Sequence, residues 1–142
     1  MMRQLLKLTF IGIVAGIVLA VFLKIIQLLT GNQAFVLLFN TDYIPLLRNI
    51  QSSGKVGITF HFVTCILSVI VLFYILKSLH LERSFTAYLV VFTVGGGILY
   101  SLTALTEQVP AVTDFAAWAF WTIGHAIFAS VVGLLIKWGR AI

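Results

Sequence analysis

The sequence predicts an all-α fold, an integral membrane four-helix bundle with both termini cytoplasmic. Three observations predict it. Of 142 residues, 61% are hydrophobic and only 9% are charged, where a soluble domain carries roughly 25% charged residues. Four apolar stretches reach the ~20 residues that a helix needs to cross the hydrocarbon of a bilayer. The basic residues fall mostly at one end of the chain's predicted path. With 2 Pro, 11 Gly in no period and 1 Cys, collagen, a disulfide scaffold and a disordered chain are excluded. The net charge of +5 does not point to nucleic acid, because its nine Lys and Arg are scattered singly and form no patch.

The first span is Leu8–Leu29. Its opening, with Arg3 and Lys7 ahead of an apolar run, has the charge pattern of a signal peptide. The run is too long for one, and no small-x-small cleavage site follows, so it reads as a retained span. Residues 30–55 form the one long loop. Within it, Asn40-Thr41-Asp42 followed by Pro45 predicts the start of a short interfacial helix, with Phe39, Tyr43, Leu46, Leu47 and Ile50 at helical spacing. Val56–Leu76 is the second span, Phe85–Leu105 the third and Phe115–Ile136 the fourth. None contains Pro, and only the first contains Lys, so each can pair its backbone inside lipid.

Four spans put both termini on one side. That side carries Arg3, Lys7, Lys77, Arg83, Lys137 and Arg140, against Arg48 and Lys55 on the other. Positive residues are retained on the cytoplasmic side, which sets the orientation. Trp118 and Trp121 then stand at the outer interface and Trp138 at the inner one.

Helices in lipid associate through small-residue faces and a few hydrogen bonds. Gly12, Gly16 and Ala20 make such a face on the first span. Gly97, with Ser101 and Ala104, makes one on the third, and Ala129 with Gly133 one on the fourth. They suit packing within the bundle, between copies, or against another membrane protein. The Gly95-Gly96-Gly97 triplet lies mid-span with no following lysine, so it is a packing surface and not a phosphate cradle.

Ionisable groups inside spans mark function or a specific partner. His125 lies near the middle of the fourth span. His61 lies in the outer part of the second, with Cys65 and Ser68 continuing its face. Lys24 extends the Gly12-Gly16-Ala20 line, and Glu107 and Asp114 stand at the outer ends of the third and fourth spans. Each histidine reads either as a neutral imidazole bonded to a neighbouring helix or as a protonation switch. Lys24 either snorkels or pairs with Glu107 or Asp114. His80 falls in the inner turn as a solvated residue. No HExxH spacing, thiolate cluster, nucleophile triad or cofactor motif is present, so neither metal, cofactor nor enzyme is expected.

Two local patterns carry a resemblance. The first span reads Phe10-Ile-Gly12-Ile-Val-Ala15-Gly16-Ile, with Lys24 closing its outer turn. The last reads Trp121-Thr-Ile-Gly124-His125-Ala-Ile-Phe128, near the chain's end and followed by basic residues. With His61 opening a span ahead of Ser68, these resemble the YagU-like family of bacterial inner-membrane proteins. The chain departs from that family in having Trp121 where acidic residues precede the Gly-His, and in a one-residue shift of the lysine. The resemblance implies an inner-membrane location and an association with acid tolerance, and it implies no enzyme class. The expectation is a pH-responsive proton or ion pathway, or a sensor, built on the histidines. The alternative is an accessory subunit that packs on itself or on a partner.

Overall fold

A computed structural model describes residues 2–41, 54–105 and 110–139, and all regular structure in it is helical. The four long helices are α1 (Met2–Thr30), α2 (Gly54–Ser78), α3 (Phe85–Leu99) and α4 (Phe115–Trp138). A 3-10 helix, Gln33–Leu38, follows α1, and a second one, Tyr100–Leu105, continues α3. Four helical segments, Met2–Thr30, Lys55–Ser78, Phe85–Leu105 and Phe115–Trp138, are long and apolar enough to cross a membrane. The interfacial helix expected after Thr41 lies outside the described residues. Asn40 and Thr41 are buried and not helical.

Local chemistry sets the boundaries. Gly31 takes a left-handed φ of 73°, and its N–H bonds the Gln27 carbonyl at 2.9 Å, closing α1. The Asn32 side chain then accepts from the Ala34 N–H and starts the first 3-10 helix. His80, at φ 58°, ends α2: Leu81 N–H reaches the Leu76 carbonyl and His80 N–H the Lys77 carbonyl. That is a Schellman closure with histidine in the position glycine usually takes. Ser84 and Asp114 cap α3 and α4 by accepting from Ala87 and Ala117 N–H.

The third span is therefore an α-helix only to Leu99. Its last turn tightens to 3-10 geometry, which pairs terminal carbonyls that an α-helix leaves open. Tyr100 ties that turn down by donating its hydroxyl to the carbonyls of Ala111 and Asp114.

Helices α1 and α4 pack together, α2 packs on α1, and α3 packs on α4. Helices α2 and α3 scarcely touch, although a short turn joins them. The expected glycine faces explain the order. A Cβ on Gly12 would stand 2.8 Å from Ile66 Cα, and one on Gly16 would stand 3.2 Å from Cys65 Sγ, so this face meets α2. Ala20, further along the same line, is partly buried against the core. Gly124 faces Leu19 of α1, and Gly133 faces Phe85 of α3. Ala129 is fully buried. Toward the chain termini, Leu8, Phe73, Tyr88, Val132 and Ile136 fill the interior. The outward residues Phe10, Ile17, Val21, Val71, Val90 and Ile98 are exposed and apolar, as lipid contact requires.

Gly12→Ala should lower the melting temperature in detergent, since overpacking against the Ile66 backbone costs roughly 1–3 kcal/mol. Gly95→Ala, where a Cβ meets nothing within 4 Å, should stay within about 1 kcal/mol of wild type, on the stable side. Equal melting temperatures for the two variants would refute this packing.

Candidate functional site

Because α2 and α3 stand apart, a crevice of about 420 Å³ opens between them. It occupies the half of the bundle away from the chain termini. Its α2 wall is Phe60, His61, Thr64, Cys65 and Ser68, and its α3 wall is Val91, Phe92, Gly95, Gly96 and Leu99. Trp121, His125 and Phe128 of α4, with Leu19 of α1, form the back. Leu37 and Leu38 of the first 3-10 helix, and Tyr100, Leu102 and Thr103, close the loop end. Thr64, Val91 and Leu99 are exposed, so the crevice opens sideways between α2 and α3.

Both candidate histidines line it. His61 is buried at 4% exposure, and its Nε2 lies 3.1 Å from the Gly16 carbonyl of α1. A carbonyl only accepts, so Nε2–H donates, and in the neutral ring Nδ1 is left as an acceptor. The Cys65 sulfur, one turn on, stands beside the ring, 3.8 Å from Nδ1 and 3.9 Å from Nε2. Phe39 and Phe62 pack edge-on against the ring at 5.7 and 5.0 Å.

His125 bonds within its own helix. Its Nδ1–H donates to the Trp121 carbonyl at 2.9 Å, and its ring lies 4.6 Å from that of Trp121. The sequence expectation of a partner on a neighbouring helix is thus met by His61 and not by His125. What His125 meets across the interface is Gly96 of α3, where a Cβ would fall inside the imidazole.

Two further bonds hold α4 to α3 at this level. Trp121 Nε1–H donates to the Gly96 carbonyl at 2.9 Å and Trp118 Nε1–H to the Gly97 carbonyl at 3.1 Å. Gly97 itself faces Thr122, with a Cβ position 3.3 Å from Oγ1. The two tryptophans, expected as interface anchors, are therefore also interhelical donors. Their i, i+3 spacing opposite consecutive glycines is the signal that points to it.

The other candidates do not join the site. Lys24 is exposed, donates to Gln27 Oε1 at 2.8 Å and stands 4.9 Å over the Phe35 ring. Asp114 caps α4 through Ala117 N–H at 2.9 Å, three helical turns from His125. Glu107 lies outside the described residues. Among the described lining residues the titratable groups are His61, His125, Cys65 and Tyr100, with no carboxylate, lysine or arginine.

The His61–Gly16 bond predicts a graded pair of variants. His61→Gln places an amide N–H where Nε2–H stood and should retain near wild-type thermal stability. His61→Leu should lose about 1 kcal/mol, the scale of one interhelical hydrogen bond in lipid. Chemical unfolding in mixed micelles measures both, and a glutamine variant as weak as the leucine one would exclude the bond. No family model, curated protein or solved structure matches the chain, so the chemistry of the site rests on this geometry.

Proposed function

We propose that the chain is a multi-pass protein of the bacterial inner membrane whose His61–His125 crevice senses protonation. Six of the nine Lys and Arg lie on the side of the termini, which supports both termini being cytoplasmic and the crevice opening in the outer half. The resemblance to the YagU-like family gives this reading a setting in acid tolerance.

One observation carries it: two imidazoles share one apolar crevice with no acid among the described residues that line it. In the neutral state each ring commits one N–H to a backbone carbonyl. Protonating His61 adds an N–H at Nδ1, where the Cys65 sulfur, 3.8 Å from Nδ1 and 3.9 Å from Nε2, offers only a poorly directed, weak acceptor. Protonating His125 adds a second N–H where Nε2 has no described partner. A charge in an apolar site must be hydrated or paired, and two charges in one crevice repel.

The fold offers a way to relieve this. Helix α2 is held by α1 and the first 3-10 helix and barely touches α3. Widening the α2–α3 gap therefore breaks few direct contacts between those two helices and opens a path for water from the loop end of the crevice. This is a two-state element biased by protonation. It favours a sensor over a conduit, because toward the termini the interior is filled by Leu8, Phe73, Val132 and Ile136.

The Trp121–His125 ring contact provides the test. With Trp118 and Trp138 replaced by Phe, Trp121 emission should fall as the pH is lowered and His125 protonates, because an imidazolium quenches an indole whose ring lies 4.6 Å away. His125→Asn keeps an N–H for the Trp121 carbonyl and should flatten the curve. A pH-independent wild-type emission would refute the proposal. In proteoliposomes under a pH gradient, proton flux should equal that of empty vesicles; flux that disappears in His125→Asn would replace the sensor by a conduit.

A further inference from the structure

The crevice holds two bases and, among its described lining residues, no acid to balance them. His125 commits Nδ1–H to the Trp121 carbonyl, and no described residue bonds its Nε2. The surrounding walls are apolar, with Val91, Phe92, Leu99 and Phe128 in them. The opening faces sideways between two helices whose outward residues are exposed and apolar, so what reaches it comes from the bilayer.

We infer that the crevice binds one long-chain carboxylic acid from the membrane, its carboxyl at His125 Nε2 and its chain along the α2–α3 walls. The inference rests on the reading of the crevice as the protonation-responsive element. The head group follows from what Nε2 requires in each state. A neutral ring presents an acceptor and needs an O–H donor; a protonated ring presents a donor and needs an anion. An alcohol or phenol suits the first state alone, and an ester suits the second alone and without charge. A carboxyl group suits both. Its O–H bonds Nε2, and transfer of that proton to Nε2 leaves a carboxylate facing an imidazolium, with zero net charge throughout. A charged, desolvated group is tolerated in such a place only when paired in this way.

Size sets the number of chains. A volume of about 420 Å³ lies at the low end of small-molecule sites, roughly 300–1,000 Å³. Within the crevice that is room for about one acyl chain. Gly95 stands on the α3 wall with no atom within 4 Å of a Cβ position, which leaves the path of the chain open.

The experiment uses purified, delipidated protein in which Trp121 is the sole tryptophan. A fatty acid brominated in mid-chain is titrated in and Trp121 quenching is read, with the methyl ester of the same acid in parallel. Saturable quenching by the acid is expected, with the ester about ten-fold weaker for loss of a charge-assisted bond. His125→Asn should weaken the acid to the level of the ester. Gly95→Leu, which grows a side chain into the crevice, should abolish saturable quenching while helicity and melting temperature hold. Val91→Phe, which narrows the mouth from an exposed position, serves as the second blocking variant. Equal binding of acid and ester, or quenching that survives both blocking variants, overturns the inference. The two readings fail separately. A pH-dependent emission without saturable quenching removes the acid site alone, and quenching with a pH-independent emission keeps the site and removes its role as a sensor.

Discussion

At Gly96 the α3 backbone carries no side chain, and the His125 ring of α4 occupies the space that one would fill. The Trp121 indole reaches the carbonyl of the same residue. In lipid there is little hydrophobic drive between helices, so contacts of this kind decide which surfaces meet. This one fixes α3 on α4 at the depth of the crevice and turns α3 away from α2. The gap between α2 and α3 is the consequence, and so is the exposure of both histidines to one shared space. A side chain at Gly96 would displace the imidazole and so disturb the back wall of the site.

Helix α2 is held by different means. Gly12 brings its backbone to α1 at Ile66, and His61 donates to the Gly16 carbonyl one turn further along. The donor sits on α2 and the acceptor on α1, so the bond reports on their separation as much as it maintains it. A Cβ on Gly16 would stand 3.2 Å from Cys65 Sγ, so its absence lets α2 come close enough for the bond. The same glycine thus permits close approach and brings a polar group to its neighbour, which is a general reason for small residues on such faces.

Much of this was legible in the sequence, and the limits have physical causes. The four spans stand out because apolar runs of about 20 residues have few other uses. Gly12 and Gly16 stand out because four-residue spacing defines one helix face. The triplet Gly95-Gly96-Gly97 gives no such guide, since consecutive residues point about 100° apart and all three lack side chains. Spacing selected Gly97, whereas Gly96 makes the closest approach, Gly97 the looser one, and Gly95 lines the crevice. The 3-10 helix Gln33–Leu38 escaped notice because six residues are too few to show a period. Asp114 looked like a partner for a buried base, yet its side chain accepts from Ala117 N–H. An aspartate just ahead of a helix is a cap before it is anything else.

The two histidines differ in what protonation does to the fold, and this gives the pair its meaning. His61 bonds a different helix, so a change in its ring acts on the α1–α2 contact. His125 bonds its own helix, so a change in its ring leaves α4 intact and alters the charge of the crevice. On the proposed reading, His61 acts on the α1–α2 contact and His125 on what enters the crevice. Because both line the same space, a proton on either makes a proton on the other less favourable unless an anion or water intervenes. In the proposed acid site, an anion would therefore couple occupancy to protonation through charge alone, and α2 is the element the proposal moves. The loose α2–α3 edge is the part of the bundle whose weak packing permits that motion.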